Sequence, residues 1–193
     1  MPWQKKYDQV KVLESAMKAF WAQGYEATSM NDLVRTTGIN RGSLYTAFPN
    51  KHALFMSVLQ HYDQVYRVEH LQQISARHSP GDAIMTVFEL AATKPADSST
   101  PWGCLLVNTA LELSPHDPEI CEFIEHCLQG VETFFFTQIK AGKQTGEITT
   151  TQETRSTAQA LLSLFLGLRV LTRAKTRQCT INAVTSQARV MLQ

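Results

Sequence analysis

The sequence predicts an all-α protein of about nine helices: three short N-terminal helices, one connecting helix and a five-helix body. Apolar residues recur at the three- and four-residue spacing of amphipathic helices along almost the whole chain. No segment alternates at a period of two residues for long enough to predict a strand. The chain has 193 residues, of which 44% are hydrophobic. That composition supports a sizeable core and excludes intrinsic disorder.

The first three helices have recognisable start and stop signals. Apolar spacing predicts a first helix over about residues 7–22 that ends at Gly24. The hydroxyls of Thr28 and Ser29, followed by the carboxylate of Asp32, are close to a capping box and predict a second helix. That helix should begin at about Met30 and end at Gly38, and a third should run from the cap Asn40 to about Phe48, before Pro49.

The remaining helices follow from the same periodicity. A long amphipathic helix is predicted over about residues 51–76, and Ser79-Pro80-Gly81 marks a boundary after it. Further helices are predicted around residues 84–91, over 103–113, from 118 toward interruptions at Gly142 and Gly146, over 154–174 and over about 182–192. We therefore divide the chain into a head (residues 1–50), a connecting helix (51–78) and a body (79–193) for ligand binding and dimerisation.

Two short helices joined by a turn that contains a glycine are typical of a helix-turn-helix. Leu33 and Leu44 should point inward from the two helices and leave the start of the second helix exposed to bind the DNA major groove. An arginine at position 41 can donate two hydrogen bonds to guanine, and Gly42 permits close approach of the backbone. The hydroxyl of Tyr45, the ammonium of Lys51 and free backbone N–H groups at residues 28 and 29 suit phosphates.

Charge is distributed unevenly along the chain. Residues 1–60 carry seven basic and four acidic groups, a net charge of +3, and the other 133 residues carry eleven and thirteen, a net charge of −2. A basic head on a slightly acidic body favours a phosphate-binding head.

These segments resemble a known family. The run from Thr28 through Val34, followed by Gly38-Ile39-Asn40-Arg41-Gly42-Ser43-Leu44-Tyr45, then Phe48-Pro49, Lys51 and Leu54, strongly resembles the TetR family of transcriptional regulators over about residues 12–58. The resemblance implies base contacts from Arg41, Ser43 and Tyr45, and phosphate contacts from Ser29, Tyr45, Thr46 and Lys51. Asn40 stands where members often have Ser or Thr and caps equally well. The DNA-binding set is thus Thr28, Ser29, Asn40, Arg41, Gly42, Ser43, Tyr45, Thr46 and Lys51. The alternative is a helical hairpin inside a bundle, with Tyr45 as a packing residue.

The last two helices are predicted to form a homodimer. The segment 160–168 is apolar almost all round, so it must be buried on several sides. TetR-like proteins are similar in using their last two long helices for a dimeric interface, and a palindromic operator also calls for two recognition helices. The candidates are Leu161, Leu164, Phe165, Leu168, Leu171, Val184, Ala188 and Met191. An intramolecular core helix is the alternative, because periodicity does not distinguish a core face from an interface.

A small-molecule inducer is expected to bind within the body. The candidates are aromatic side chains and polar groups within apolar stretches: Phe88, Trp102, Cys104, Asn108, Phe134, Phe165 and Arg169. The alternatives are a plain aromatic core and, for Arg169, an ion pair with Glu112 or another carboxylate across the bundle. The Gly-Cys-Leu run at Cys104 resembles a TetR subgroup in which some members sense electrophiles or oxidants. A place in the first turn of a helix would suit a reactive cysteine there, whereas a buried small apolar residue is the alternative.

The other function classes find little support. No catalytic trio, phosphate loop or dinucleotide motif occurs, so no catalytic residue or cofactor is predicted. Glu122 and His126 share a helix face without further ligands, so we expect no metal site. No run is long enough to cross a membrane and the first six residues lack an apolar signal, so we expect a cytoplasmic protein. The expected partners are a palindromic double-stranded operator, a small-molecule inducer and a second copy of the chain.

Overall fold

The structure is a computed structural model that describes residues 8–93 and 103–193. Those residues form nine helices and no strand when the connecting helix, which is continuous, is counted once. The helices are α1 (Gln9–Gln23), α2 (Met30–Thr37), α3 (Arg41–Ala47), α4 (Lys51–Tyr62, continued by Asp63–Glu69 and His70–Arg77), α5 (Pro80–Ala92), α6 (Leu105–Glu112), α7 (Pro118–Thr145), α8 (Thr154–Arg173) and α9 (Gln178–Val190). The predicted all-α fold is confirmed.

The head helices form where the capping signals lie. α1 begins after Asp8, whose carboxylate accepts hydrogen bonds from the N–H groups of Val10 and Lys11. It ends at Gly24, which adopts a positive φ of 89°. α2 and α3 begin and end within one residue of their predicted bounds because local caps fix both ends.

The connecting helix α4 contains a π-helical segment, Asp63–Glu69, between its two α-helical parts. The Arg67 guanidinium pairs with the Asp63 carboxylate one turn earlier, and its Nη2 lies 2.8 Å from Oδ2. Such segments are rare and are frequently found at functional sites.

Three predicted bounds in the body are wrong. α6 starts at Leu105 rather than 103, because Cys104 has an extended backbone and is the N-cap. Gly142 does not interrupt α7, since it is buried in the helix where Ile148 leaves no room for a Cβ, and only Gly146 ends the helix, in the left-handed conformation. α9 begins at Gln178, four residues before the predicted start, because Arg177 already serves as its N-cap.

Buried apolar residues form two clusters. The first joins the head to α4, to the start of α6 and to the first half of α7, from Ile120 to Cys127. The second fills the body between α5, α7, α8 and α9. The head therefore packs directly on the body through shared core. Within the described residues, no helix has both the length and the hydropathy needed to cross a bilayer.

Candidate DNA-binding surface and ligand cavity

Local hydrogen bonds hold α2 and α3 in place. Ser29 and Asp32 form a reciprocal capping box, in which each side chain accepts a hydrogen bond from the other residue's backbone N–H. The turn after α2 passes through Gly38 in the left-handed conformation, with φ at 70°. Asn40 then caps α3 by accepting a hydrogen bond of 2.8 Å from the Ser43 N–H. The capping predicted for Asn40 is present.

One side of α3 anchors the helix and the other faces solvent. Leu44 is fully buried and Phe48 is 4% exposed. Arg41, Gly42, Tyr45 and Thr46 are exposed, and Ser43 is half-buried. The Arg41 guanidinium lies 5.5 Å from the centre of the Tyr45 ring, so the two side chains form one surface. This surface, Arg41 to Thr46, contains the predicted DNA contacts of α3, and we call it the recognition surface.

The structure corrects the predicted anion site at the start of α2. Thr28 is fully buried and its hydroxyl donates to the Gly24 carbonyl at 2.7 Å. The Thr28 N–H donates to the Tyr25 carbonyl, and the Ser29 N–H donates to the Asp32 carboxylate. These groups are already satisfied inside the protein. The exposed Ser29 hydroxyl also donates to the Asp32 carboxylate, so it would have to exchange that hydrogen bond to bind a phosphate.

Lys51 is half-buried at the start of α4. Its ammonium donates to the Tyr25 carbonyl at 3.1 Å and lies 4.1 Å from the centre of the Tyr25 ring. The charge is therefore held at a fixed place, which suits a phosphate contact more than a freely moving lysine would.

The Asp32 carboxylate in the capping box has a lowered pKa. Hydrogen bonds from the Ser29 side chain and backbone stabilise its charged form, and Arg35 adds a smaller attraction at 2.8 Å. The negative charge near the start of α2 also interacts favourably with the helix dipole.

A cavity of about 300 Å³ lies between the head and the body. Its wall is largely apolar and comes from six helices, α1 and α4 to α8. The lining side chains are Trp21, Tyr62, Tyr66, Arg67, His70, Leu71, Ile74, Val87, Leu90, Ala91, Cys104, Leu106, Val107, Cys127, Leu128, Val131, Phe165, Leu166 and Arg169. This size is at the lower end for small-molecule sites.

The predicted ligand residues fall into three groups. Cys104, Phe165 and Arg169 line the cavity. Phe88 is fully buried in the body core, Phe134 is 9% exposed in the same core, and Asn108 lies half-buried on α6, so these three lie away from the cavity wall. Trp102 lies outside the described residues.

Sequence reasoning missed most of the polar and aromatic wall. The Trp21 ring contacts the Tyr62 and Tyr66 rings edge-on, with centroids 5.2 and 6.2 Å apart, and the two tyrosines stack at 5.0 Å. One sequence feature could have indicated Trp21: it adds a large apolar ring to α1 next to Phe20, which already ends the apolar face of that helix. No sequence feature indicated Arg67, because its position at the cavity depends on the π-helical segment of α4.

Two buried donors at the cavity have no hydrogen-bond partner. They are the indole Nε1 of Trp21 and the Nε of Arg169. The Arg169 Nη2 donates to the Gly103 carbonyl at 2.8 Å, and within the described ranges no carboxylate pairs with this guanidinium. The expected ion pair between Arg169 and Glu112 is therefore absent.

Glu112 instead ties the body to the head. Its two carboxylate oxygens accept hydrogen bonds from the backbone N–H groups of Tyr25, at 3.1 Å, and Glu26, at 2.9 Å. A second link joins the His52 ring to Asp117, the N-cap of α7, at 2.9 Å. The hydrogen bonds to Ile120 and His52 lower the Asp117 pKa. The first link fixes the head on the body, and the second fixes the start of the connecting helix α4 on it.

Cys104 lies in the cavity wall and is 9% exposed. The Tyr62 hydroxyl donates to its Sγ at 3.5 Å. Burial and the neighbouring Cys104 sulfur raise the Tyr62 pKa well above its ordinary value, so the phenol stays protonated as a donor. Burial also raises the pKa of the Cys127 thiol strongly, which disfavours the thiolate form.

The predicted dimer residues lie at different depths. Leu161, Leu168 and Ala188 are fully buried inside the protomer, because α8 and α9 use them to pack on α5 and α7. Leu164, Phe165, Leu171, Val184 and Met191 are half-buried. The outer face of α8 carries the exposed residues Ser163, Gly167 and Val170, followed by the exposed C-cap Ala174, and Val190 is exposed on α9.

The acidic and histidine side chains on α7 do not come together. Glu122 and His126 are both exposed, and no group of three His, Cys, Asp or Glu side chains in the described part of the chain could hold a metal ion.

Comparisons with known proteins agree on one family. A family model described as "Bacterial regulatory proteins, tetR family" matches residues 12–58, and a model described as "Tetracyclin repressor-like, C-terminal domain" matches residues 81–186. The chain is 31% identical over 144 residues to the uncharacterized HTH-type transcriptional regulator YezE of Bacillus subtilis, covering 75% of this chain and 74% of YezE. It is 36% identical over 128 residues to the HTH-type transcriptional repressor ComR of Escherichia coli, covering 65% of this chain and 61% of ComR.

A solved structure shares the fold. The TetR family regulator CifR, as a cysteine mutant complexed with 26-base-pair operator DNA, superposes with a TM-score of 0.83 at 23% identity, covering 96% of this chain and 97% of that one. The matched proteins are regulators rather than enzymes. The recognition surface on α3 and the helical body behind it thus have a common explanation: the chain belongs to the TetR family, as a DNA-binding transcriptional regulator.

Proposed function

We propose that this protein is a cytoplasmic, homodimeric repressor that binds a palindromic operator through α3 and leaves it when a small molecule occupies the cavity. The recognition surface carries the proposal: Arg41, Tyr45 and Thr46 face solvent on a helix whose opposite side is anchored by buried Leu44. A scaffold protein has no need of this exposed set.

The roles within the surface follow from side-chain chemistry. Arg41 at the start of α3 donates to guanine, and Gly42 allows the backbone close to the base pairs, since a Cβ there would meet only the Asn40 side chain, at 3.4 Å. Ser43 and Tyr45 add contacts to bases, and Ser29, Tyr45, Thr46 and Lys51 bind the flanking phosphates. Asn40 acts by capping α3.

The dimer places two copies of α3 on successive half-sites. We assign its interface to α8 and α9, where Ser163, Gly167, Val170 and Ala174 recur at intervals of four, three and four residues and so form one exposed stripe. The half-buried members of the predicted set flank it. A Cβ at Gly167 would meet no atom within 4 Å, which leaves room for close approach of a second helix.

Ligand binding would act on DNA through the position of the cavity. Trp21 belongs to the head, Tyr62, Tyr66 and Arg67 to α4, and Arg169 to the body, so a ligand contacts all three parts. A ligand that binds one head orientation better than another shifts the population of the two. The π-helical segment of α4 is the element whose geometry can change between them.

Selection from a random DNA library, at one stated salt concentration, tests the proposal. We expect recovery of a two-fold palindrome with half-sites about one helical turn or more apart. Recovery of no enriched sequence by reduced, refolded protein would contradict it.

The interface is tested by Gly167→Glu, with Gln144→Glu at an exposed residue of α7 as control. Because the substituted side chain has open space, the protomer should stay folded while the charge prevents close approach of α8. We expect Gly167→Glu to be a monomer in analytical ultracentrifugation and to bind the palindrome weakly, and Gln144→Glu to stay a dimer that binds it normally. A stable Gly167→Glu dimer would contradict the assignment.

A cysteine sensor is the second candidate, since Cys104 lies in the cavity wall where an electrophile that enters would meet it. The exposed Cys121 and Cys179 would react first, so the test uses a background with both changed to Ser. In that background, release of operator DNA by an alkylating agent that is abolished by Cys104→Ser would support the sensor, and release that persists would exclude it.

A further inference from the structure

We propose that the ligand of the cavity is a small aromatic carboxylate, whose carboxylate oxygens accept hydrogen bonds from Trp21 and Arg169. This inference rests on the proposed function, because it names the chemical class that the regulatory cavity takes. Nothing in the family membership assigns that class.

The hydrogen-bonding groups of the wall call for an acceptor. The Trp21 Nε1 and the Arg169 Nε are buried N–H donors without a partner, and both side chains line the cavity. Trp21 is only 7% exposed, so water has little access to its ring. A buried donor left without a partner costs free energy, and a ligand that accepts from it recovers that cost.

The charge of the wall calls for an anion. No Asp or Glu is among the described side chains that line the cavity, whereas two arginines are. The charge of Arg67 is neutralised by Asp63 next to it on α4. The partners of the Arg169 guanidinium, the Gly103 carbonyl and the Phe165 ring, are both neutral, so no negative charge compensates it in the described structure. A guanidinium binds carboxylates through parallel N–H bonds, which makes a carboxylate the fitting anion.

The aromatic side chains of the wall favour a ligand with a compact aromatic ring. The rings of Trp21, Tyr62 and Tyr66 contact one another on one side, and Phe165 lines the other part, 6.0 Å below the Arg169 guanidinium. Aromatic rings favour stacked and edge-on contacts with another ring. The volume of about 300 Å³ limits the ligand to a small molecule.

Such a ligand would join the head to the body directly. Trp21 is near the end of α1 in the head and Arg169 is on α8 in the body. One carboxylate held by both would fix the head orientation in which the two donors converge on it, and so bias the equilibrium that determines operator binding.

Calorimetric titration of the DNA-free protein provides the test, with benzoate and cinnamate as probes, benzamide and cinnamamide as their neutral counterparts, and octanoate as a non-aromatic acid. We expect each aromatic carboxylate to bind about tenfold or more tightly than its amide, because the hydrogen bonds involve charged groups. Octanoate should bind less tightly than cinnamate.

Variants assign the preference to the two donors. Arg169→Met should bring acid and amide to within about twofold of each other, Arg169→Lys should keep part of the preference, and Trp21→Phe, which retains the ring but removes the N–H, should reduce it. The exposed Arg177→Met is the matched control and should bind as the unchanged protein does.

Three results would overturn the inference: amides that bind as tightly as acids, a preference that survives Arg169→Met, or no binding of either acid at millimolar concentration. The library selection is independent of these titrations. A protein that selects a palindrome but ignores aromatic acids contradicts only the ligand class, and a protein that selects no DNA contradicts the proposed function.

Discussion

The helix-turn-helix and the cavity differ in how their polar groups find partners. In α2 and α3, the caps and hydroxyl bonds join residues three or four apart, as in the pairs Ser29 with Asp32 and Asn40 with Ser43. At the cavity, Tyr62 reaches Cys104, 42 residues away, and Arg169 reaches Gly103, 66 residues away. The first region is complete by itself, whereas the second leaves two donors for a ligand.

The difference shows what each region can tolerate. A locally satisfied segment keeps its shape when its outer surface changes, so α3 can vary its DNA contacts without loss of fold. A region assembled from six helices depends on their relative positions, so changes there should alter coupling between head and body more than local stability.

The largest effect should separate two neighbouring residues of α3. Leu44→Ala removes a fully buried side chain and should lower the free energy of unfolding by about 2–5 kcal/mol. Tyr45→Ala, at a residue 38% exposed, should cost about 1 kcal/mol or less and yet weaken binding to all DNA sequences. Urea denaturation and DNA titration of both variants measure this. If Tyr45→Ala destabilised the protein as much as Leu44→Ala does, Tyr45 would be a packing residue of a helical hairpin, which is the alternative interpretation.

Arg41→Ala sharpens the comparison within the recognition surface. The guanidinium is exposed and lies over the Tyr45 ring, and among the described residues it forms no hydrogen bond or ion pair. We expect its loss to relax preference at one base position by about 1–3 kcal/mol, with little change in stability. Repeating the library selection with the variant measures this, and unchanged selectivity would remove Arg41 from the base-contacting set.

Local chemistry explains which parts of the fold were predictable. The bounds of α2 and α3 and the cap at Asn40 depend on residues within one turn, which the sequence displays directly. The same local view failed for Thr28, where the hydroxyl is short enough to fold back on the Gly24 carbonyl and is lost to DNA. A capping pattern identifies a helix start but does not say which of its hydroxyls points outward.

The cavity could not be predicted for the opposite reason. Apolar periodicity marks Phe88 and Phe165 alike, and only the packing of α5 against α7 and α8 places one in the core and the other at the cavity. Glu112 illustrates the same limit, since two backbone N–H groups 86 and 87 residues away are its partners rather than the charge of Arg169.

Glu112→Gln tests whether long-range contacts set the head orientation. The amide can accept only one of the two backbone hydrogen bonds, and its NH₂ group would face the other donor, so we expect a loss of about 1–2 kcal/mol in stability. Operator affinity should fall and its response to ligand should weaken, because the head is less firmly oriented. Exposed Glu122→Gln on α7 changes the same charge without these contacts and should have no effect. If Glu112→Gln keeps full ligand response, the two hydrogen bonds of Glu112 carry no part of the coupling between head and body.

The smallest effect should come from acid titration of the local caps. The pKa of Asp32 is lowered in the folded protein, so its contribution to stability is full above its ordinary value of 3.8 and is lost as the pH falls through the lower folded value. Because Asp32 is only partly buried, solvent screens its charge and we expect only a modest difference: stability should decline less on acidification in Asp32→Asn than in the unchanged protein. Thermal denaturation between about pH 6 and about pH 3 measures it. Asp117 and Glu153, which cap α7 and α8 and also have lowered pKa values, remain in both proteins, so the difference isolates the single cap at Ser29 and Asp32. An identical decline would mean that the hydrogen bonds to Ser29, rather than the charge on Asp32, hold the start of α2.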